Sequence, residues 1–403
     1  MARETGGTCK SRVPNGPSAW WDTAMTSAPA ARRPIPAMLL AAVISLILGY
    51  IVLEIVNAGI ILIWETIPET WTTTPAWYVF AILLIAAVLV FVIRKFVGDA
   101  GHSPIGGIKV SSITPKEYVG VILAILASLW GGVVLGPEVA LVATGSMIGG
   151  LVAKRMHFTD AKDQKKVVGF GALGAILALF VGPILSGSLQ LGSTPDAIEV
   201  DQLGWAIVVA IIVAVVVTLA RTAAAVLARA TGGGPHLPIL VAAALIIGVS
   251  ALIVQSRTGE SIVFIVTSGE EFITKLPALT SASTVLAIII FKAIAYAVSL
   301  GSGFRGGPFF PAMFIGAAVG LLISLAMGDS GPSVPAAIVV GVIASLIATA
   351  PMKWPIVIIL GVVLGLMMGT WTLVPAALVG AVVARLIPRW GDRVVPRPDV
   401  AAH

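Results

Sequence analysis

The sequence predicts an all-α integral membrane protein whose helices are repeatedly broken and whose chain is built from two related halves. Three observations carry this. Hydrophobic residues are 58% and charged residues 11% of 403, with a mean hydropathy of +1.04, whereas soluble domains carry roughly 25% charge. Gly (43) and Pro (25) are abundant for so apolar a chain, and both are tolerated in membrane helices. A pattern of Gly and Pro also recurs 171 residues along the chain.

The charge-poor windows are 35–53 (to 64 with Glu54), 76–93, 118–137, 168–195, 202–220, 230–256, 276–291, 306–328, 330–352 and 354–384. About 20 apolar residues span a bilayer, so several are single spans and the longest can hold two segments. Gly131-Gly132 with Gly136-Pro137, Gly182-Pro183, and Gly306-Gly307-Pro308 with Pro311 interrupt these runs. Backbone groups freed by a break inside lipid must be buried in protein or face a watery cavity. Interrupted apolar runs of this kind belong to transporters with a mid-membrane site.

Basic residues set the orientation. Arg32-Arg33 precede the first span and Arg94-Lys95 follow the second, while the intervening loop carries Glu65 and Glu69 and no basic residue. The positive-inside rule puts the N-terminus inside. Lys154-Arg155, Lys165-Lys166 and Arg385, Arg389, Arg393 and Arg397 fit further inner positions. The net charge of +6 is spread over such clusters, so it points to no nucleic-acid partner. A lone Cys9 and four unpatterned histidines offer no disulfide, metal or cofactor site. Residues 1–34 are polar, lack the apolar run of a secretory signal, and read as a disordered inner tail. Residues 391–403 read as a short inner tail.

The repeat aligns Gly136-Pro137-Glu138, Gly145 and Gly149 with Gly307-Pro308-Phe309, Gly316 and Gly320 at an offset of 171. Gly182-Pro183-Ile184 echoes Trp354-Pro355-Ile356 at 172. Duplication places a binding site where the halves meet.

Glu138 is the one charge between Glu117 and Lys154. A carboxylate there costs roughly 2.5–3.5 kcal/mol on insertion scales. It reads either as a helix-start acid compensating the macrodipole or as a carboxylate that mimics an anion in a pore and leaves when protonated. The helix start that holds it could hold an anion instead. Ser103, before Pro104, reads as a helix cap or as a neutral hydroxyl donor to an anion. The stretch Gly301–Pro311 is either a turn or a place where backbone N–H groups approach a ligand, with Phe309 and Phe310 as a narrow wall. Lys292 either snorkels to the interface or supplies field near the pore.

Together these segments resemble the CLC family of chloride channels and chloride/proton exchangers. His102-Ser103-Pro104-Ile105-Gly106 stands at the family's GSGIP motif. Gly136-Pro137-Glu138-Val139-Ala140 stands at its second, glutamate-bearing motif, and Gly307-Pro308-Phe309-Phe310-Pro311 matches GxFxP fully. The resemblance implies a CLC-type inverted-repeat bundle with broken and re-entrant helices over 35–390, halves of roughly 35–200 and 201–390, and a homodimer with one pore per subunit in lipid. It gives Ser103 the anion-coordinating position and Glu138 the gate. The backbone around Phe309 and Phe310 would line the site.

This sequence departs from the family in places. Pro308 has no N–H to donate. Pro137 and Ala140 replace a basic residue and a proline. Ser193 falls where exchangers carry an internal proton-relay glutamate, the nearby Asp196 and Glu199 miss that spacing, and no tyrosine follows Tyr296. The expected activity is therefore chloride transport with Glu138 as a protonatable gate, passive conduction favoured over chloride/proton exchange. Fluoride selectivity is an alternative, given the altered first motif. A cation-coupled carrier of organic substrates needs more intramembrane polar groups. An intramembrane hydrolase would rest on His102 and Ser103, and adjacent residues at a helix start do not face each other.

Overall fold

A computed structural model of the chain describes residues 34–98, 105, 110–186, 200–232, 234, 236–368 and 371–388. Ser103, Ser193, Asp196, Glu199 and nearly all of both predicted tails lie outside these residues. The described chain is helical: α1 (Ile35–Ile61), α2 (Ala76–Phe96), α3 (Pro115–Trp130), α4 (Glu138–Arg155), α5 (Ala161–Ser186) and α6 (Val200–Ala230) are followed by α7 (Leu237–Thr258), α8 (Ala282–Gly301), α9 (Phe309–Met327), α10 (Val334–Thr349), α11 (Trp354–Met368) and α12 (Val374–Leu386). Among the described residues, seven helical stretches, in α1, α2 and α5 to α9, are long and apolar enough to cross a membrane. The chain is a multi-pass integral membrane protein. At 1.5 Å per residue, α10 and α11 reach about 24 Å, short of the roughly 30 Å hydrocarbon core, which fits the expectation of broken segments.

The helices bury their small residues and expose their large ones. On α1, Leu39, Val43, Ile47, Ile51 and Ile55 form an exposed row at i, i+4 spacing, while Ala37, Ala41, Ser45, Gly49 and Leu53 are buried. Lipid is as apolar as leucine, so helix association there is driven by close packing of small residues. The same logic joins α4 to α5 and α9 to α10. A side chain added at Gly145 would overlap the Gly171 carbonyl, and one at Gly316 would overlap that of Gly341. Gly149 meets Val168 as Gly320 meets Ala337. The glycines of the sequence repeat thus make equivalent helix contacts in both halves. Overpacking such a contact costs about 1–3 kcal/mol. We expect Gly145→Ala and Gly316→Ala each to lower the detergent-solubilised protein's unfolding midpoint by several degrees. Gly169→Ala and Gly204→Ala, at helix positions with open space, are expected to leave it unchanged.

Helix α3 begins at a capping box: Thr114 Oγ1 accepts from Glu117 N–H (3.3 Å), and Glu117 Oε2 accepts from Thr114 N–H (2.9 Å). It ends where Gly131 and Gly132 turn the chain, Gly132 in the left-handed region at φ +77°. The predicted break at Gly182-Pro183 does not occur, because α5 continues to Ser186. Pro183 falls in the last turn of α5, where losing one helical hydrogen bond does not stop the helix. Two other expectations are corrected in extent. Helix α6 runs on through Arg221 and Arg229, and α5 starts earlier, at Ala161, taking in Lys162, Lys165 and Lys166. Long basic side chains can lie along such helix ends without ending them.

Candidate functional site

The segments between α3 and α4 and between α8 and α9 interlock. Gly136 and Gly307 exchange both backbone hydrogen bonds, at 2.8 and 2.7 Å, as an isolated antiparallel bridge. Above it the two halves cross over. Ser128 Oγ on α3 accepts from Arg305 N–H (3.0 Å), and Ser299 Oγ on α8 accepts from Val134 N–H (3.1 Å). Ser128 and Ser299, like Val134 and Arg305, stand 171 residues apart. Gly132 and Gly303 correspond in the same way, and both have positive φ (+77° and +102°). Each half therefore satisfies the buried backbone of the other's turn, where an unpaired N–H would cost about 1–3 kcal/mol.

This clasp sets the first residues of α4 and α9 side by side. Glu138 is 3% exposed. Its Oε1 accepts from Phe309 N–H at 2.6 Å, while Oε2 is buried with no hydrogen-bond partner among the described residues. Gly136 and Gly307 border the carboxylate so closely that a side chain on either would overlap it, and the Phe310 ring also borders Gly136. The turn before α9 is braced from behind, where Tyr296, fully buried, donates its O–H to the Pro308 carbonyl at 2.7 Å. A carboxylate thus occupies a pocket formed at two helix N-termini, which favour negative charge. Its one resolved bond is charge-assisted. Phe309 provides that donor through its backbone, and Phe310 provides an aromatic wall.

The connector between α7 and α8 packs on this junction. Thr267 N–H donates to the Gly132 carbonyl (3.1 Å). Lys292 of α8 is fully buried. Its Nζ reaches the carbonyls of Ile265 (3.2 Å), Val266 (3.2 Å) and Thr267 (3.0 Å) and lies 4.9 Å from the centre of the Phe314 ring. Three acceptors match the three N–H donors of an ammonium, so Lys292 does not snorkel to the interface. It fastens the connector to α8.

Two groups were not picked out from the sequence. Arg221 Nη2 lies 3.5 Å from the carbonyl of Ile105, two residues beyond Ser103, and its Nε is buried without a partner among the described residues. Its signal was a cation between apolar stretches of α6, which hydropathy treats as the end of a span. Glu270 lies in the α7–α8 connector, outside the spanning helices, with Oε2 buried and unpartnered among the described residues. Burial, the neighbouring Glu271 charge and the Glu138 charge hold its carboxyl well above the usual range. Its sequence signal, a pair of acids after Gly269, is weak.

A family model described as "Voltage gated chloride channel" matches residues 172–389, just over half of the chain. A curated relative from Escherichia coli, "Putative ion-transport protein YfeO", is 26% identical over 352 residues, covering 76% of this chain and 81% of that protein. Among solved structures, a slow cyanobacterial Cl-/H+ antiporter superposes with a TM-score of 0.71 at 16% identity, over 89% of this chain and 94% of that one. A CLC-type fluoride/proton antiporter superposes with a TM-score of 0.63 at 14% identity, over 88% and 96%. At these identities the two structures establish a shared fold.

Proposed function

The chain belongs to the voltage-gated chloride channel family, known as CLC, and from that premise we propose that it transports chloride-like anions with Glu138 as a protonatable gate. The observation that carries this reading is the Glu138 carboxylate seated on the Phe309 N–H between two helix starts. That N–H is a donor an anion would use. While Glu138 is ionised it fills the position itself. Once protonated, it loses the charge-assisted bond and can give up the position. Ser103 is proposed as a further anion contact from the family motif, with Phe310 as the wall.

Two modes share this gate. Passive conduction is favoured by Ser193 standing where exchangers carry a glutamate. Proton-coupled exchange is favoured by the fold's likeness to two structures described as antiporters, and fluoride as the cargo by the second of them. We further propose two inverted repeats, 35–200 and 201–390, and a homodimer with a pore in each subunit.

The test is reconstitution in proteoliposomes, with anion efflux and lumenal pH recorded together. Chloride efflux without pH change is the outcome expected of conduction. Stoichiometric proton movement against chloride would assign exchange. Fluoride efflux exceeding chloride efflux would reassign the cargo. The absence of efflux for any halide would sink the transport reading.

A further inference from the structure

Arg221 is a cation that the gate as proposed does not use and that its surroundings do not neutralise. It lies inside α6, which continues to Ala230. Its neighbours on the same helix face, at i±3 and i±4, are Val217, Thr218, Ala224 and Ala225, and all four are buried. The opposite face carries the exposed Leu219 and Val226. The side chain therefore leaves α6 on the protein side, away from lipid, and it is half-buried there. Its Nε is enclosed without a partner among the described residues, and Nη2 has only the long 3.5 Å bond to the Ile105 carbonyl. The described ion pairs join Lys166 to Asp163 and Lys275 to Glu65, and none includes Arg221. A guanidinium carries five N–H donors and keeps its charge at any working pH. Inside a membrane such a group pairs with a counter-charge or marks an ion pathway. No described carboxylate supplies the counter-charge.

Neighbouring contacts fix its level relative to the gate. The C-terminal ends of α6 and α8 run together. Gly301 packs against the Ala224 carbonyl and the Leu227 side chain, and Thr231 Oγ1 lies 3.5 Å from the Gly301 carbonyl. These ends lie toward the inner side, because Arg94, in a cluster that the loop charges place inside, donates to the Gly303 carbonyl at 2.8 Å. Five residues back along α8, a rise of about 7.5 Å, Tyr296 holds the Pro308 carbonyl just before the seat of Glu138. Three residues back along α6, a rise of about 4.5 Å, stands Arg221. It is thus placed between the inner helix ends and the turn that seats the gating carboxylate.

We infer that Arg221 is an anion-binding residue of the pathway, holding a chloride-like anion on its guanidinium on the inner side of the gate. The inference deepens the transport reading proposed above and rests on it. The two positions are complementary. The gate's seat offers a backbone N–H and no formal charge, and Glu138 occupies it when ionised. Arg221 offers a fixed positive charge and free donors whatever the state of Glu138. A charge of that sign in a low-dielectric cleft concentrates anions and repels cations. The Ile105 carbonyl orients the guanidinium while leaving most of its donors for the anion.

The experiment is calorimetric titration of chloride into the purified full-length protein in chloride-free gluconate buffer, paired with halide efflux from proteoliposomes. R221Q should bind chloride at least about 10-fold more weakly than the wild type, as expected when a charge-assisted hydrogen bond is lost. R221K should fall between them, because an ammonium keeps the charge and loses the planar fork. R229Q, at an exposed position near the end of the same helix, should bind as the wild type does. If R221Q binds chloride as tightly as the wild type, or R229Q weakens binding as much, or a wild type that passes chloride titrates none, the inference is overturned and the transport reading stands. If the wild type passes no halide, the transport reading falls and the inference with it. Should R221Q not be recovered as a monodisperse protein, a wild-type crystal soaked in bromide is read instead. An anomalous peak within hydrogen-bond reach of the Arg221 guanidinium is expected, and a map without a peak there overturns the inference whatever other sites are filled.

Discussion

Glu138→Gln should pass anions at neutral pH at the rate the wild type reaches only in acid, with its pH dependence gone. Glutamine is close in shape to the protonated carboxyl and cannot ionise. The Phe309 N–H to Glu138 Oε1 bond, 2.6 Å long, is made to a charged acceptor, and such bonds are worth roughly 1.5–3 kcal/mol. Losing the charge should change occupancy of the seat by about 10- to 150-fold. Glu138→Ala should go further, because it removes the plug and leaves the pocket between Gly136, Gly307 and Phe310 open to an anion. The measurement is chloride efflux across a pH series for the three proteins. A wild-type pH response in both variants would show that another group is the gate.

Much of this site was legible in the sequence because the duplicated half preserves residue identity where backbones touch. Gly136-Pro137 and Gly307-Pro308 fixed both helix starts, and Gly145, Gly149, Gly316 and Gly320 recur because only glycine fits against a facing carbonyl. Ser128 with Ser299 and Gly132 with Gly303 follow the same offset and could have been read with them. Their partners could not. Ser128 and Ser299 accept from the backbone N–H of Arg305 and Val134, and a backbone donor leaves no mark on residue type. Glu270 was hidden for another reason. Its burial depends on Thr267 docking onto Gly132 and on Lys292 gripping three carbonyls, none of which is local in sequence. Gly182-Pro183 misled because the same dipeptide breaks a run mid-helix and is tolerated in a last turn.

On the proposed gating role, the sequence repeat also accounts for why one carboxylate suffices. The two turns are equivalent in backbone, each capped by the other half's serine, so each half presents a helix start to the same point. Equivalence ends at the first helical residue, where one half has Glu138 and the other Phe309. The second half therefore donates its N–H to the Glu138 carboxylate of the first, which is the anion mimic of the proposed gate. A symmetric pair of glutamates would place two like charges on one pocket and raise the cost of ionising either.

That asymmetry makes Gly307→Ala a sharper probe than any change to the glutamate itself. A β-carbon at Gly307 would overlap the Glu138 carboxyl carbon and Oε1, so the carboxylate must leave its seat or the turn must give way. The turn is held by the Gly136–Gly307 bridge at 2.8 and 2.7 Å and by the Tyr296 bond to the Pro308 carbonyl at 2.7 Å. Alanine retains the backbone N–H and carbonyl that make the bridge. Gly307 also lacks the positive φ that would exclude a side chain. The side chain of Glu138 is therefore the softer partner. Gly307→Ala should raise neutral-pH efflux toward the level of Glu138→Gln and flatten the pH response, although the glutamate is intact. Contacting residues are expected to be non-additive, so adding Gly307→Ala to Glu138→Ala should change efflux little, since no carboxylate remains to displace. Efflux measured through this double-mutant cycle decides the point. A Gly307→Ala protein that folds and keeps the wild-type pH response would mean that the carboxylate does not close the pathway from this seat.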